Sequence, residues 1–290
     1  MARPSTSATL EGKVCLVTGS TGGIGAATAK ALAARGAAVL VTGRDAGRGR
    51  AVVEEIASGG WGSAEFVPAD LSSQDEVRAL AVAFLARHER LDVLVNNAGA
   101  LFMRRRESVD GIEMTFALNH LAPFLLTHLL MDALQAAPAP RVVTVSSGAH
   151  RRARLEWDDL QSRRHYRGLR AYGQSKLANI LFTYELARRS SGTNLTANTL
   201  HPGLVASGFA LNNGAVVAYS WRLLGALVAK SVDEGAKTVV YLASSPEVEG
   251  VSGQYFSECR PVASSPVSHD LADALRLWKV SEKLTAADGM

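Results

Sequence analysis

The sequence predicts a single doubly wound α/β domain, in which a parallel sheet of about seven strands carries helices on both faces. Short β-branched runs alternate with alanine-rich helical segments along the whole chain. The β-branched runs are apolar almost throughout, which is typical of strands that are covered on both faces. No proline- or serine-rich linker and no solenoid repeat divides the chain, so residues 1–290 are predicted to form one domain.

The predicted elements follow one another as strand and helix. In chain order the strands read "KVCLVTG", "AAVLVTG", "AEFVPAD", "LDVLVNNAG", "RVVTVSS", "LTANTLHPG" and "GQYFSE". The helices between them carry apolar residues at helical spacing. They read "IGAATAKALAARG", "GRAVVEEIAS", "SQDEVRALAVAFLARHE", "IEMTFALNHLAPFLLTHLLMDAL", "AYGQSKLANILFTYELARRS" and "SVDEGAKTVVYLASS", with a last amphipathic helix at "HDLADALRLWKVSEKL".

Two stretches interrupt this alternation. Residues 148–170 read as a polar loop, and residues 204–231 are apolar but irregular. Long insertions after the carboxyl ends of strands are where open α/β sheets hold ligands. We therefore expect residues 204–231 to form a lid over a hydrophobic substrate. Candidate lining residues, each with core packing as its alternative role, are Phe209, Tyr219 and Trp221.

Composition excludes several classes of protein. Hydrophobic residues make up 47% of the chain and charged residues 20%, which is enough apolar material for an ordered core. The net charge of +4 is mild, but arginine is concentrated in "MRRRES" and "HRRARLEWDDLQSRRHYRGLRAY". Such runs are usually a solvated surface, with a phosphate-bearing ligand as the alternative. No nucleic-acid motif accompanies them, so no nucleic-acid partner is expected.

Cysteine, histidine and apolar-run patterns give further expectations. The two cysteines, Cys15 and Cys259, are no disulfide framework, which fits a cytoplasmic protein. His120, His150 and His201 lack metal-ligand spacing, so no metal is expected. "MARPSTSATLEGK" has no long apolar core, and "GAVVAYSWRLLGALVAKS" is interrupted by an arginine. We therefore expect neither a signal peptide nor a membrane span.

A glycine-rich turn stands between the first predicted strand and the first helix, in "VCLVTGSTGGIGAATAKAL". Glycines allow a tight turn and a close approach of the backbone to a pyrophosphate, which the helix N-terminus then attracts. The turn lacks the Gly-Lys-Ser/Thr ending of a Walker-type loop. It predicts a dinucleotide site. The expected contacts in the turn are Gly19, Ser20, Thr21, Gly23, Ile24 and Gly25.

The end of the second strand, "AAVLVTGRD", bears on which dinucleotide is bound. An NAD site usually has an acid here that bonds the ribose 2′-hydroxyl. Gly43 occupies that place and Arg44 follows it. A guanidinium can grip a 2′-phosphate that a carboxylate would repel, so NADP is favoured over NAD. Asp45 remains an alternative as the acid of an NAD site, one residue later than usual. Arg48 is either a second phosphate contact or a solvated residue of the next helix.

The stretch "AYGQSK" places Tyr172 and Lys176 on one face of a predicted helix. Alone, such a pair is usually surface decoration. Carbonyl reduction, however, puts negative charge on an oxygen that needs a proton. An unperturbed tyrosine has a pKa of ~10, and a lysine one turn away lowers that pKa toward the working range. Together with the glycine turn, the pair predicts catalysis.

Four motifs carry a resemblance to a known family. "TGSTGGIG", "NNAG", "YGQSK" and "HPG" resemble, in the same order, the motifs of the short-chain dehydrogenase/reductase family, whose members have a Rossmann domain. "AYGQSKLANILFTYELARR", "NTLHPG" and "EGVSGQYFSECRPVASSP" are similar to its retinol dehydrogenase-like branch. The resemblance implies NADPH-dependent, reversible reduction of an aldehyde or ketone on a hydrophobic small molecule.

The resemblance also implies roles for single residues. Tyr172 would be the general acid/base, with Lys176 as its partner and as a contact of the nicotinamide ribose. Ser147, rather than its neighbour Ser146, would bind the substrate oxygen, and Asn119 would serve a water-linked proton relay. The further implied cofactor contacts are Asp70 and Leu71 at the adenine, Asn97, Ala98 and Gly99 along the cleft, and Pro202 and Gly203 near the nicotinamide. The alternatives are that Asn119 bonds its own backbone and that Asp70 caps the next helix.

Two departures from the family pattern affect these expectations. The interval from Ser147 to Tyr172 is longer than in the simplest members, so its aromatic residues are expected to shape the substrate mouth. These are Trp157, His165 and Tyr166. Gly22 stands where many NADP-using relatives have arginine, which leaves the preference for NADP resting on Arg44.

Two other functions remain as alternatives. One is alcohol oxidation with a preference for NAD. The other is a sensor or scaffold that binds the dinucleotide without turnover, although a sensor has no need of a proton donor. From the resemblance we expect a homo-oligomer, either a dimer or a tetramer.

Overall fold

A computed structural model describes residues 9–60, 62–203 and 231–287. Its strands are β1 (Val14–Thr18), β2 (Ala38–Gly43), β3 (Ser63–Pro68), β4 (Val93–Asn96), β5 (Arg141–Val145), β6 (Thr196–Leu200), β7 (Tyr255–Ser257) and β8 (Arg260–Pro261). They form one sheet in the order β3-β2-β1-β4-β5-β6-β7-β8. All neighbours pair in parallel except β7 and β8, which are antiparallel. The predicted doubly wound parallel sheet is confirmed.

The helices lie on both faces of this sheet. They are α1 (Gly23–Ala33), α2 (Ala46–Ser58), α3 (Gln74–Leu85), α4 (Met114–Phe116), α5 (Ala122–Leu129), α6 (Met131–Gln135), α7 (Gly168–Arg189), α8 (Val232–Ser244) and α9 (Leu271–Thr285). A π-helical turn, Ala117–Leu121, joins α4 to α5. Short 3₁₀ helices span Gly148–Arg152, Trp157–Asp159, Pro246–Val248 and Pro266–His269.

Alternate residues of each central strand enter opposite core layers. On β1, Cys15 and Val17 pack with buried residues of α1, α2 and α8, whereas Leu16 packs with those of α3, α5 and α7. Because successive side chains of a strand point to opposite faces, a strand covered on both sides must be apolar at every position. That requirement explains the continuous apolar runs in the sequence.

Side-chain caps fix where the helices near the site begin. Asp45 accepts the Arg48 amide and caps α2, and Ser73 accepts the Glu76 amide and caps α3. Asp70 instead accepts from the amide and hydroxyl of Ser72. The alternative that Asp70 caps the next helix is therefore wrong, because Ser73 holds that position.

The predicted helix "IEMTFALNHLAPFLLTHLLMDAL" is not one helix but a series of short ones. Pro123 lies in the first turn of α5 and has no N–H to donate to the carbonyl of Asn119, four residues earlier. The backbone widens into the π-helical turn at this place. Such turns are frequent at functional sites, and this one contains Asn119.

The eighth strand was not predicted. Its hairpin turns through Glu258 and Cys259, which both have positive φ angles of 51° and 59°. Glycine and asparagine usually mark such turns, and neither is present here. A strand of two residues also carries no periodicity in the sequence.

Most of the predicted lid, residues 204–230 with Phe209, Tyr219 and Trp221, lies outside the described residues. Ser231, its last residue, accepts the Glu234 amide in a capping box that begins α8. No helix in the described part of the chain has both the length and the apolar character needed to cross a membrane.

Candidate active site

A cleft opens where β1, β2, β4 and β5 end, and it encloses a cavity of about 1250 Å³. The chain order reverses between β1 and β4, which are neighbours in the sheet. Open α/β sheets bind ligands outside such a switch point. The cavity runs from the glycine-rich turn and Arg44 to Tyr172 and Ser147.

The turn after β1 has room for backbone only. Gly19 has a φ angle of +64°, and a Cβ there would lie 2.9 Å from the Cα of Ala98. A Cβ on Gly25 would collide with the carbonyl oxygen of Gly19. No side chain caps α1, whose first residues line the cavity, so its first N–H groups are available to an anion. This cradle fits the pyrophosphate of a dinucleotide.

The side chain of one predicted turn residue, Ser20, is engaged within the sheet. Ser20 is fully buried, and its hydroxyl donates to the Val17 carbonyl and accepts the Thr42 amide at 2.9 Å. The side chain therefore joins β1 to β2 and does not line the cavity. Thr21, Gly23 and the remaining predicted turn residues do line it.

One end of the cleft is formed at the end of β2. A Cβ on Gly43 would lie 2.8 Å from Cγ2 of Thr21, so the usual position of an NAD-selecting acid has no room for a side chain. Arg44 and Arg48 line the cavity there. The Arg44 guanidinium lies 3.8 Å from an oxygen of Asp70, another lining residue.

The floor of the cleft is fixed by Thr18. Its hydroxyl accepts the amides of Asn97 and Ala98, and its carbonyl accepts the Asn97 side chain at 2.7 Å. These bonds join the ends of β1 and β4. The predicted cleft residues line the cavity, namely Asp70, Leu71, Asn97, Ala98, Gly99, Pro202 and Gly203.

Helix α7 places Tyr172 and Lys176 one turn apart at the other end of the cavity. The Lys176 ammonium lies 5.7 Å from the centre of the Tyr172 ring and donates to the Val145 carbonyl at 2.9 Å. Lys176 is only 3% exposed, and burial lowers its pKa to about 8. The lysine is therefore close to the tyrosine but is held by the end of β5.

Burial raises the pKa of Tyr172 to about 12, and a hydrogen bond with Ser147 opposes that shift. This direction is the reverse of the predicted one, because removal of the phenolate from water outweighs the favourable influence of the neighbouring groups. Tyr172 is consequently protonated at neutral pH in the free protein.

The two serines at the end of β5 have different partners. The Ser146 hydroxyl donates to the Lys176 carbonyl at 2.7 Å and is 2% exposed, so it holds α7 against β5. Ser147 is half-buried and is the serine that bonds Tyr172. Of the two serines, Ser147 is thus the one placed beside Tyr172, and its binding of the substrate oxygen stays a prediction.

Asn119 is held by the segment after β4. Its Oδ1 accepts the Ala100 amide at 2.9 Å, and its Nδ2 donates to the Ala100 carbonyl and to the Ser175 hydroxyl. It does not bond its own backbone in this arrangement. A Cβ on Gly99 would lie 3.2 Å from both Asn119 Oδ1 and Lys176 Nζ, so these polar atoms converge behind Gly99.

The residues expected at the substrate mouth point elsewhere. Trp157 donates its indole N–H to Asp273 at 2.7 Å, and Tyr166 donates its hydroxyl to the Phe102 carbonyl at 2.7 Å. Neither residue lines the cavity, and nor does the exposed His165. That prediction is wrong because these side chains fasten the loop to the body of the protein. The residues in the range 148–170 that do line the cavity are Gly148, Ala149, Arg152, Ala153, Arg154, Glu156, Leu169 and Arg170.

The three histidines have structural partners. His120 bonds the Ser281 hydroxyl at 2.9 Å, and His201 accepts the Gly203 amide. His150 lies 2.7 Å from the Ser147 carbonyl and accepts the Ser265 amide, a partner 115 positions away that the sequence does not mark. Within the described ranges, no three His, Cys, Asp or Glu side chains gather as a metal site.

Known proteins are similar to this chain in sequence and in fold. The family model for short chain dehydrogenase matches residues 13–215. Mouse retinol dehydrogenase 12 is 40% identical over 281 residues, which cover 97% of this chain and 88% of that protein. A crystal structure of an uncharacterized protein from Mycobacterium paratuberculosis has 34% identity and a TM-score of 0.78, covering 97% of this chain and 96% of its own. A short chain dehydrogenase from Burkholderia cenocepacia in complex with NADP has 31% identity and a TM-score of 0.68, covering 85% of this chain and 96% of its own.

The fold, the glycine cradle and the relatives together identify the protein as an NAD(P)-dependent oxidoreductase. The chain belongs to the short-chain dehydrogenase/reductase family, in its retinol dehydrogenase-like branch.

Proposed function

We propose that this chain is an NADPH-dependent reductase of an aldehyde or ketone group on a hydrophobic small molecule, with alcohol oxidation as the reverse reaction. One observation carries the proposal. Tyr172, bonded to Ser147, faces the same cavity that the glycine cradle and Arg44 line at its other end. A proton donor and a dinucleotide cradle in one cleft are what carbonyl reduction requires.

The proposed preference for NADPH is supported by charge and space at the end of β2. Arg44 and Arg48 give this end two guanidinium groups that can bond a 2′-phosphate. Thr21 fills the space that an acid at position 43 would need, and Asp45 is engaged as the cap of α2. The relative from Burkholderia cenocepacia was solved with NADP.

NADPH, when bound, supplies the hydride for the substrate carbonyl carbon. In our mechanism the Tyr172 hydroxyl gives its proton to the carbonyl oxygen as negative charge develops there. Its raised pKa of about 12 keeps that proton in place at neutral pH. Ser147, bonded to the same hydroxyl, orients the oxygen by a second hydrogen bond.

Lys176 and Asn119 act behind the tyrosine in this mechanism. The Lys176 ammonium, 5.7 Å from the ring, favours the phenolate that remains after proton transfer. Asn119 is fully buried and rigidly bonded to Ala100, and it fixes the polar pocket behind Gly99 through which a water can return the proton. The cluster therefore both donates a proton and restores it.

The sensor alternative is tested by Tyr172→Phe. This variant keeps the ring and loses only the hydroxyl, so we expect NADPH binding by fluorescence titration to stay near that of the wild type. We expect turnover of a carbonyl panel, followed by NADPH oxidation, to fall about 10³-fold or more. Turnover within a few-fold of the wild type would show that Tyr172 is not the proton donor.

The cofactor preference is tested by Arg44→Ala, with Arg87→Ala, a solvent-exposed arginine outside the cavity, as the matched control. We expect Arg44→Ala to weaken NADPH binding about 10-fold, the effect of one charge-assisted contact, and to leave NADH binding unchanged. Equal loss for both dinucleotides, or loss for neither, would contradict the role of Arg44 as a phosphate ligand.

A further inference from the structure

Arginines also line the end of the cavity that holds Tyr172. Arg152 and Arg154 lie on the segment that follows Ser147, and both are exposed to solvent. Arg152 ends the 3₁₀ helix that starts directly after Ser147. These two arginines therefore belong to the segment that positions the serine of the catalytic cluster.

Ala153, the residue between Arg152 and Arg154, packs close to α7. Ala153 is buried, and a Cβ on Gly173 would lie 3.4 Å from the Ala153 Cβ and 3.1 Å from the Ala149 carbonyl oxygen. Gly173 is the neighbour of Tyr172 on α7. The backbone that carries Arg152 and Arg154 thus packs against the turn that carries the proton donor.

No carboxylate in the described part of the chain neutralises the charges of Arg152 and Arg154. Arg170 and Glu156, which line the same end, form an ion pair with each other. No ion pair among the described residues includes Arg152 or Arg154. The sequence of residues 204–230 contains neither Asp nor Glu, so that segment supplies no neutralising carboxylate.

The dinucleotide does not account for these charges. Its phosphates are provided for by the cradle at β1 and by Arg44 at the end of β2. Arg152 follows β5, and the sheet order puts β1 and β4 between β2 and β5. Three strand spacings amount to roughly 14 Å, so Arg152 lies on the other side of the switch point from Arg44.

We propose that Arg152 and Arg154 form a subsite for a carboxylate at the end of the substrate remote from its carbonyl group. This inference rests on the proposed function and deepens it. Two guanidinium groups present paired donors that match a carboxylate, and Leu169, 64% exposed on the same cavity wall, offers an apolar surface beside them. The substrate class is an amphipathic oxo acid with an apolar body.

The test compares ω-oxododecanoate with its methyl ester, and ω-oxo-octanoate with its own ester, as substrates with NADPH. Each acid and its ester share a reacting aldehyde and an apolar chain and differ in charge. For the wild type we expect kcat/KM to be higher for at least one acid than for its ester. In Arg152→Ala/Arg154→Ala we expect that ratio to fall about 10-fold, with kcat/KM for the ester nearly unchanged.

The matched control is Arg163→Ala/Arg164→Ala, which removes two exposed arginines of the same loop that do not line the cavity. It lowers the net charge by the same amount, so an effect of overall charge would appear in both variants. We expect the acid-to-ester ratio of the control to equal that of the wild type. A wild-type ratio at or below one for both acids, or equal ratios in the two double variants, would overturn the proposed subsite.

A binding measurement separates this proposal from the proposed function. Dodecanoate has no aldehyde, and its binding to the NADP⁺-loaded protein is measured by calorimetry without turnover. Weaker dodecanoate binding in Arg152→Ala/Arg154→Ala than in the control supports the subsite, whether or not the protein reduces an aldehyde. Failure to reduce any aldehyde would contradict only the reductase assignment. Equal dodecanoate binding in both variants would overturn the subsite.

Discussion

The imidazole of His150 lies directly behind Ser147, with Nδ1 2.7 Å from the Ser147 carbonyl oxygen. The Ser265 amide donates to Nε2 at 3.1 Å. A carbonyl needs a donor and an N–H needs an acceptor, so the ring is neutral with its proton on Nδ1. His150 is fully buried and ties Ser147 to the segment after β8.

Replacement of His150 is therefore expected to disturb catalysis more than cofactor binding. His150→Phe removes both bonds and leaves the Ser147 carbonyl and the Ser265 amide without their buried partner. We expect kcat to fall about 10- to 100-fold through displacement of Ser147, with the Kd for NADPH within about 2-fold. Stopped-flow turnover and fluorescence titration measure the two effects, and an unchanged kcat would show that Ser147 is positioned without His150.

The stability of the protein is expected to fall in mild acid because of His120. Burial lowers the pKa of His120 to about 3, while the neighbouring Asn179 side chain opposes that shift. Between the unfolded value of 6.5 and about 3, the unfolded chain binds a proton that the folded protein does not, so stability falls as pH falls through this window.

The measurement is urea unfolding of the wild type and His120→Gln at neutral pH and at about pH 5, where carboxylates still contribute little. We expect the variant to be less stable at neutral pH, because it loses packing against Phe116 and Phe124. Its stability should nevertheless change less between the two pH values. An equal change in both proteins would mean that other groups cause the acid sensitivity.

Alcohol oxidation is expected to depend steeply on pH. Oxidation needs the Tyr172 phenolate as base, and the raised pKa of about 12 makes that form scarce in the free protein. We expect kcat/KM for oxidation to rise about 10-fold per pH unit up to the pKa of about 8 of Lys176, above which loss of the ammonium charge flattens the rise. Carbonyl reduction needs the protonated Tyr172 and stays level up to the same pH. A plateau of the oxidation rate near neutral pH would show that the bound cofactor lowers the pKa of Tyr172.

The glycine turn offers a matched pair of substitutions. Gly22 has an extended φ angle of 178° and a Cβ there would meet nothing within 4 Å, so Gly22→Arg is tolerated. We expect it to tighten NADPH binding about 5-fold and leave NADH binding unchanged, because it adds a cation beside Arg48. Gly25→Ala places a methyl group against the Gly19 carbonyl, and we expect it to abolish binding of both dinucleotides. Fluorescence titration measures the Kd of each dinucleotide for both variants. Equal tightening of NADH and NADPH binding in Gly22→Arg would contradict the electrostatic argument.

The sheet and the cradle could be predicted because their physical requirements are local. A strand buried on both faces must be apolar at each position, and "KVCLVTG" satisfies that requirement on its own. The backbone at Gly19 and Gly25 has no space for a side chain, and glycine is the residue that such a turn demands. The position of Tyr172 and Lys176 one turn apart was predictable because helical spacing places them on one face, although spacing alone would not have marked them as a site.

The contacts that organise the cluster could not be predicted, because they join residues far apart in sequence. His150 and Ser265 are separated by 115 positions, and neither belongs to a motif. The aromatic residues Trp157 and Tyr166 were misplaced for the same reason, since their partners lie on other segments. The arginine run was ambiguous because a solvated face and a ligand site have the same composition, and only the fold shows that Arg152 lines the cavity.

The bond from Ser265 to His150 has a consequence for the order in which the enzyme becomes complete. The dinucleotide cradle is built from residues near the start of the chain, but Ser147 is braced by an amide that the ribosome adds more than a hundred residues later. A nascent chain released up to β6 would hold the cradle without that brace. The bracing of Ser147 is therefore complete only when nearly the whole chain has been synthesised.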